Sequence, residues 1–290
     1  NKYMKKPIIH PRRSFIFTPG LDPSMFPKAL SSGADIVCVE LEDGIAPKDK
    51  ALARKRTLEL FNATQPTTGI ECVVRINCIR ETFGIADINA ILEAKTPPPA
   101  LMIPKVKTPD EIVILDNLLD NAGQSTRLHV IIETNAGLEA AHEIAHCSSR
   151  IDAMFFGGVD MAADLKCKNM WEPLLYARSR VVHAAASAGL DVIDVPYLDL
   201  EDSDGMILAA QQAKELGFSG KGAIHPKQIP DLNRVFTPSP EEIAHARKVT
   251  SAFEKANTGL VVIAGKLIEK PVVRDMYRIL AIADKTADFK

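Results

Sequence analysis

The stretch LHVIIETNAGLEAAHEIAHCSSRIDAMFFGGVD, residues 128–160, contains one complete strand–helix–strand unit. It begins with Leu128–Glu133, an apolar run with β-branched residues that is typical of a buried strand. Helix-favouring residues follow from Glu139 to Ser148, and a second apolar run covers Ala153–Phe156. Two strands joined by a helical crossover run parallel in one sheet. The stretch therefore predicts a βαβ unit.

The same alternation extends from this unit in both directions along the chain. Short apolar runs recur, and stretches with helical spacing such as Ser24–Ser32 separate most of them. The predicted strands are Phe15–Pro19, Ile36–Leu41, Cys72–Ile76, Ala100–Pro104, Leu128–Glu133, Ala153–Phe156, Val192–Val195 and Gly222–Ile224. Eight such units are what a closed (β/α)8 barrel requires, so the sequence predicts a TIM barrel.

A Rossmann sheet is the other architecture with this alternation, but the sequence speaks against it. The first predicted strand ends in Thr18-Pro19-Gly20 rather than G-x-G-x-x-G, and no acidic residue follows the second strand at the matching position. After Pro238 the order changes to a helix, an apolar patch at Leu260–Ala264 and another helix. We expect a barrel domain at residues 1–236 and a C-terminal helical extension at residues 237–290.

Charge and composition narrow the class of ligand. The 290 residues include 35 basic and 37 acidic side chains, so the net charge of -2 favours neither nucleic acid nor an anionic membrane. The basic N-terminal segment is not followed by an apolar stretch, and no later run approaches the roughly 20 apolar residues that span a bilayer. The five cysteines form no C-x-x-C pair. We expect a cytoplasmic protein that acts on a small molecule.

Two acids mark a metal site at the predicted barrel mouth, where parallel barrels carry their active sites. Glu133 ends the fifth predicted strand and Asp160 follows the sixth. Carboxylate oxygens suit Mg²⁺, or alternatively Mn²⁺, with water and substrate completing the coordination. Asp160 could instead cap the helix that continues with Met161. Because the two acids converge, we favour the metal site.

Other polar residues fall at the same predicted barrel end. Glu42 and Asp43 could hold metal-bound waters, or they could cap the helix at Lys50–Leu60. Arg75 emerges from a buried strand and needs an anion, for which we favour a substrate carboxylate or enolate oxygen over a structural acid. His225 could fix its loop or perform acid–base chemistry, and we do not make it catalytic.

Eight segments, spread in order over nearly the whole chain, carry a family resemblance. They are Arg13-Ser14 with Thr18-Pro19-Gly20, Glu40–Gly44, Arg75-Ile76-Asn77, Ile103-Pro104-Lys105, Ile132-Glu133-Thr134, Gly157–Asp160, Ala223–Gln228 and Gly265–Pro271. Together they resemble the citrate lyase β-subunit-like proteins, a group that includes malyl-CoA and citramalyl-CoA lyases. The resemblance implies a TIM barrel with a C-terminal lid, usually in a homotrimer in which one subunit's lid closes the neighbour's site.

The resemblance also implies roles for individual residues. Glu133 and Asp160 look like the Mg²⁺ ligands, and Arg75 looks like the partner of the substrate carboxylate and the enolate. Glu42 and Asp43 look like the groups that hold metal-bound waters. The substrate-binding set is completed by Pro19, Gly20, Gly158 and Val159. The CoA-binding rim would comprise Arg13, Lys48 or Arg54, and the segment Ala223–Gln228 with His225 and Pro226.

The implied reaction is a Mg²⁺-dependent retro-Claisen cleavage. Its substrate would be a short 3-hydroxyacyl-CoA of the citramalyl-CoA, malyl-CoA or citryl-CoA type, and its products acetyl-CoA and an α-keto acid. The family's lid commonly carries a general acid–base aspartate where this chain has Glu269, whose side chain is one methylene longer.

Three alternatives stay open. The same site could hydrolyse the thioester, as malyl-CoA thioesterases do. A class II aldolase that acts on free acids fits less well, because plain aldolases lack the C-terminal segment with Glu269. The chain could also be a citrate lyase β subunit or a non-catalytic binder that depends on partner subunits.

Overall fold

Eight parallel strands form the centre of the molecule. The structure is a computed structural model and describes residues 11–63, 69–256, 260–263 and 265–287. The strands are β1 Ser14–Pro19, β2 Ile36–Glu40, β3 Glu71–Arg75, β4 Ala100–Ile103, β5 Arg127–Ile132, β6 Ile151–Phe156, β7 Asp191–Asp194 and β8 Gly220–Ala223. Each pairs with its sequence neighbour, and β8 pairs with β1, so the sheet closes. The predicted TIM barrel is confirmed.

Helices connect the strands, as the alternation predicts. They are α1 Phe26–Leu30, α2 Lys50–Ala63, α3 Thr82–Leu92, α4 Pro109–Asn121, α5 Asn135–Glu139, α6 Ala141–His146, α7 Gly158–Leu165, α8 Trp171–Ala188, α9 Ser203–Leu216 and α10 Ile229–Phe236. The helix predicted at residues 139–148 is in fact two short helices that meet at Ala140. Short 3-10 turns precede α1, α2 and α10.

The barrel interior is filled by apolar side chains from alternate strand positions, as the pleat requires. These residues are Phe15, Ile36, Cys38, Val73, Ala100, Met102, Ile131, Ala153, Phe155 and Ile193. The interior is therefore a packed core, and the space for chemistry lies at its ends.

A buried charge cluster links β7, β8 and α8. Lys221, in β8, donates from Nζ to Asp194 Oδ2 at 2.6 Å, and Arg178, in α8, donates from Nε to Asp194 Oδ1 at 3.0 Å. The Arg178 guanidinium also stacks on the Phe156 and Trp171 rings. Strand β8 begins at Gly220, two residues before the predicted start at Gly222. The prediction misses these two residues because Lys221 interrupts the apolar pattern of the sequence. Inside the protein, Asp194 neutralises the charge of Lys221.

A second charged network lies at the amino-terminal end of the barrel. Arg12 donates to Glu71 Oε2 and to Asp191 Oδ2, both at 2.8 Å. Glu71 Oε1 lies 2.7 Å from His129 Nε2. Burial opposes ionisation of Glu71, but His129 and Arg12 bring its pKa well below the usual range. Glu71, His129 and Asp152 are close enough to share a cation, but the Arg12 guanidinium already supplies positive charge there.

Residues from Arg234 onward belong to a second compact unit, which α10 enters with its last turn. It contains α11 Pro240–Ala256, β9 Leu260–Ile263, β10 Lys266–Glu269 and α12 Lys270–Ala287. Its core is formed by Ala246, Val249, Ile268, Val273 and Met276. The predicted apolar patch is the first strand of an antiparallel hairpin, although its last residue, Ala264, lies outside the described residues.

The predicted division at residue 236 stays a prediction, as does the lid. Among the described residues, no helix combines the length and the apolar character needed to cross a membrane.

Candidate active site at the barrel mouth

Strands β2 and β3 bring an acid and a cation together at their carboxyl ends. Glu40 and Arg75 are register partners in the parallel pair, and their side chains form an ion pair through Glu40 Oε2. A second carboxylate, Glu42, lies 3.3 Å from Arg75 Nη1. The Arg75 guanidinium also stacks on the Phe17 ring, with Cζ 4.5 Å from the ring centroid. Arg75 is thus held on three sides.

Lys105, directly after β4 and Pro104, joins the acids of two different loops. Its Nζ donates to Glu42 Oε1 and lies 3.1 Å from Asp43 Oδ1, and its backbone N–H donates to Glu133 Oε1 at 2.8 Å. Burial opposes the charge on Lys105, but the hydrogen bond from Lys105 to Glu42, together with Asp43, raises its pKa above the usual range. The ammonium group therefore stays charged.

Glu133 is the most deeply buried acid at the mouth. Its side chain follows β5, and the residue is 3% exposed. Burial, followed by the negative charges of Asp160 and Glu42, raises the pKa of Glu133 to about 8. Asp160 lies in the first turn of α7, where it is half-buried and accepts no hydrogen bond from any described residue. The two carboxylates therefore repel one another without a shared counter-ion.

This donor set fits a hard divalent cation. Glu133 Oε1 accepts from the Lys105 N–H, whereas Glu133 Oε2 and the carboxylate of Asp160, in the first turn of α7, offer oxygen ligands. Mg²⁺ prefers such oxygens and would offset both the burial and the repulsion that raise the pKa of Glu133. Gly157, the N-cap of α7, leaves room for the carboxylate of Glu133, because a Cβ added at Gly157 would overlap Glu133 Oε2.

A buried lysine holds the loop after β2. Lys50 Nζ donates to the carbonyl oxygens of Leu41 at 3.1 Å and Glu42 at 2.8 Å, and it lies 2.5 Å from Asn77 Oδ1. Asn77 in turn donates to Asp87. This network therefore holds the backbone of the loop that carries Glu42 and Asp43. They do not cap α2, which follows a 3-10 turn whose N-cap is Ala46.

The structure changes the prediction for Arg75. The sequence favours a substrate anion over a structural acid as the partner of Arg75, but in the structure Glu40 and Glu42 already supply structural anions. Charged strand-end residues on adjacent parallel strands pair across the sheet, and this register was not part of the sequence argument. A substrate contact by Arg75 stays a prediction, and it would use donors on a guanidinium fixed by these acids.

The smaller predicted site residues lie at the same barrel end but differ in accessibility. Gly20 is buried, and an added Cβ would overlap Leu41 and Thr57, so close packing accounts for it. Pro19 ends β1 opposite Glu40. Gly158 is buried at the start of α7, whereas Val159 is 46% exposed and accessible to a ligand.

The predicted CoA rim is only partly at the mouth. Arg13 precedes β1 and pairs with Asp35 at 2.8 Å, so the structure does not bring it together with the mouth residues, and its place in the CoA rim stays a prediction. Arg54 pairs with the buried Asp87 at 2.6 Å, which leaves the exposed Lys48 as the available cation of the two. His225 is exposed and accepts from the Lys227 N–H at 3.1 Å, before Pro226 starts a 3-10 turn. This hydrogen bond holds the loop, and the predicted CoA contacts of His225 and Pro226 stay predictions.

Glu269 ends β10 in the second compact unit, where it is exposed. Its predicted catalytic role remains a prediction. The strand-end pattern places Glu40 and Lys105 at the mouth without giving either a role, and it does not indicate Lys50. Lys105 had a usable signal, since it follows a buried strand directly, as Glu133 does.

Fold and mouth together define an α/β-barrel enzyme with an oxygen-ligand site for a divalent cation. Residues 13–226 match the HpcH/HpaI aldolase/citrate lyase family, and the chain belongs to this family, as the resemblance predicts. It is 32% identical to the citrate lyase subunit beta of Leuconostoc mesenteroides subsp. cremoris, over 94% of this chain and 93% of the relative. It is 34% identical to the L-malyl-CoA/beta-methylmalyl-CoA lyase of Cereibacter sphaeroides, over 91% of this chain and 92% of the relative.

A solved structure with the same architecture is CitE from Mycobacterium tuberculosis, in complex with magnesium, acetoacetate and coenzyme A. It superimposes with a TM-score of 0.77 at 27% identity, over 93% of this chain and 97% of that chain. The relatives are named as lyases, and the chain is a carbon–carbon lyase, as predicted.

Proposed function

We propose that this chain is a Mg²⁺-dependent lyase that cleaves a short 3-hydroxyacyl-CoA into acetyl-CoA and an α-keto acid. The observation that carries the proposal is the mouth cluster, in which Glu133 and Asp160 lie near a fixed Arg75. The names of the relatives support the substrate class, since they include lyases for malyl-CoA and citramalyl-CoA.

The cation, when bound, would polarise the oxygens of the substrate's hydroxyl and carbonyl or carboxylate groups. Glu133 and Asp160 would hold it. Cleavage leaves the electron pair of the broken carbon–carbon bond on the thioester enolate, while the hydroxyl carbon becomes the ketone of the α-keto acid. Arg75 is proposed to donate to the charge that develops on the enolate oxygen, where a preorganised donor stabilises the transition state more than the ground state.

Two protons must move for the products to form. The substrate hydroxyl loses one, and Glu42 and Asp43 are proposed to orient the waters that accept it. The enolate carbon gains one, which we assign to Glu269. A homotrimer in which a neighbouring subunit supplies this residue is implied by the family resemblance and is part of the proposal.

The test is a coupled assay on malyl-CoA, citramalyl-CoA and citryl-CoA, with Mg²⁺ or EDTA, that follows α-keto acid and free thiol separately. We expect Mg²⁺-dependent keto acid from one of these substrates without free thiol. Glu133→Gln and Asp160→Asn should each abolish Mg²⁺ binding while the barrel stays folded. Release of thiol alone would replace the lyase proposal by a thioesterase, and Mg²⁺ binding retained by both variants would refute the metal assignment.

A second candidate is supported by the near-full-length similarity to citrate lyase β subunits. In this case the chain would act on an acyl group presented by partner subunits. Activity on citryl-CoA that is absent from the isolated chain, and that appears with co-purifying subunits, would favour it.

A further inference from the structure

Lys105 has a backbone conformation that its sequence position does not explain. Its φ is 54°, in the left-handed region that residues with a Cβ rarely adopt. Among the described residues other than glycine, Lys166 alone shares this feature, and Lys166 is the C-cap of α7, where left-handed residues are common. Lys105 instead follows a strand, so the surrounding contacts must hold it in place.

Three groups of Lys105 are anchored at the mouth. Its N–H donates to Glu133 Oε1 at 2.8 Å, and its carbonyl oxygen accepts from Arg80 Nη2 at 2.8 Å. Its Nζ contacts both Glu42 and Asp43. These contacts connect the loops after β2, β4 and β5 through a single residue. With this left-handed backbone, the N–H reaches the acid that follows the adjacent strand β5, while the side chain reaches the acids that follow β2, two strands away in the other direction.

We propose that Lys105 is a positioning residue that locks Glu42 and Asp43 to the loop carrying Glu133, so that the acids of two strand ends keep one fixed arrangement. The inference deepens the proposed function and rests on it. The mouth holds five carboxylates, namely Glu40, Glu42, Asp43, Glu133 and Asp160, of which Arg75 neutralises Glu40 and Glu42 on one side. Lys105 is the cation on the other side, between Glu42 and Asp43.

The proposed role of the Lys105 side chain predicts the direction in which the Mg²⁺ affinity changes when its charge is removed. Lys105→Met keeps the backbone N–H and the apolar stem but removes the cation. We expect kcat to fall about 100-fold, because misplacing the aligned acids by about 1 Å has an effect of this order. Mg²⁺ should bind as tightly as in the wild type or more tightly, since a positive charge has left its surroundings. Lys105→Arg should recover part of kcat.

The left-handed backbone of Lys105 predicts an unusual order of melting temperatures for the glycine and alanine variants. Lys105→Gly relieves the left-handed strain, whereas Lys105→Ala keeps it, so the glycine variant should melt at the higher temperature. Lys166→Gly and Lys166→Ala are the matched controls, because Lys166 is exposed and left-handed and takes part in none of the mouth contacts described above. They should show the same order of melting temperatures with unchanged kcat.

The experiment measures kcat and KM on the accepted CoA thioester, Mg²⁺ affinity by calorimetry, and melting temperature for all variants. Turnover by Lys105→Met at the wild-type rate would overturn the proposal, and so would Mg²⁺ binding weakened by about tenfold or more. A wild type that binds Mg²⁺ but cleaves no thioester would refute the proposed function instead. The Mg²⁺ affinities and melting temperatures would then still decide whether Lys105 acts as described.

Discussion

At the scale of single residues, the mouth is organised around an acid that resists ionisation. Glu133 is buried beside Asp160 and Glu42, and its pKa is raised from 4.5 to about 8. The metal-free fold therefore prefers the protonated form. Protonated Glu133 contributes to the free energy of unfolding of the metal-free protein. This contribution is complete at pH values below the pKa that the carboxyl group has in the unfolded chain, and it is lost as pH rises through about 8.

Mg²⁺ binding should consequently depend on pH, because the cation binds the carboxylate and competes with its proton. We expect the rise in melting temperature caused by Mg²⁺ to increase between about pH 6 and about pH 9. Thermal melts with Mg²⁺ and with EDTA across this range measure it. The Glu133→Gln variant should show no such increase, and a pH-independent effect of Mg²⁺ in the wild type would contradict the prediction.

Gly157 offers a second residue-scale test. An added Cβ would overlap Glu133 Oε2, so Gly157→Ala must displace the carboxylate or the start of α7. We expect the dissociation constant for Mg²⁺ to rise about tenfold, as it does when a group that orients a metal ligand is disturbed. Gly189→Ala is a suitable control, because it has open space around it and ends α8 away from the mouth. Unchanged Mg²⁺ affinity in Gly157→Ala would argue against Glu133 as a ligand.

Some of these residues could be predicted from the sequence, and others could not, for a physical reason. Glu133 and Asp160 were found because strand ends at one side of a barrel converge whatever the details of packing. Arg75 was found too, but its ion pair with Glu40 was not, since that pairing depends on the register of β2 and β3. The role of Lys105 depends on one backbone dihedral angle, and composition and periodicity carry no record of it.

At the scale of secondary-structure elements, α8 is fastened to the barrel by a charge cluster as well as by apolar packing. Asp194 is fully buried and balances both Lys221 and Arg178. A lone buried carboxylate between two cations is difficult to replace, because its removal leaves both cations without their partner in a medium of low polarity.

Asp194→Ala should therefore lower the free energy of unfolding by about 3–5 kcal/mol. Glu59→Ala is the matched control, since it removes an acid from an exposed ion pair with Lys55, and its effect should stay within about 0.5 kcal/mol. Urea denaturation of the two variants measures the difference. Equal midpoints would show that the cluster contributes no more than a surface pair.

A strand could be predicted from the sequence where burial makes its composition apolar. All eight barrel strands were found, because strands covered on both faces are apolar runs. Strand β10 was not assigned as a strand, since a four-residue segment that begins with a lysine and ends with an acid carries little periodicity. Its pairing with β9 is antiparallel and local, which only the structure shows.

At the scale of the whole molecule, the barrel and the C-terminal unit have separate cores, and each contributes a different part of the proposed chemistry. Glu133 and Asp160 belong to the first unit and Glu269 to the second. Metal binding and proton delivery should therefore respond to different mutations.

Glu269→Ala should abolish turnover on the accepted thioester while Mg²⁺ affinity remains at the wild-type value. Glu269→Asp restores the acid that is common in the family at this position and should retain activity, because only one methylene is removed. Calorimetry with Mg²⁺ and the keto-acid assay together check both statements. Unchanged turnover in Glu269→Ala would remove the residue from the mechanism, and a loss of Mg²⁺ binding would contradict the division of roles.

The Arg12 network has a consequence for the order in which the newly made chain can fold. Arg12 precedes the first strand, yet two of its acid partners are Glu71 at the start of β3 and Asp191 at the start of β7. A growing chain that has not reached Asp191 would leave this buried cation short of a partner, which is costly. We therefore expect the early strands to depend on a late one, since Arg12 gains its full set of acid partners only after Asp191 in β7 has left the ribosome.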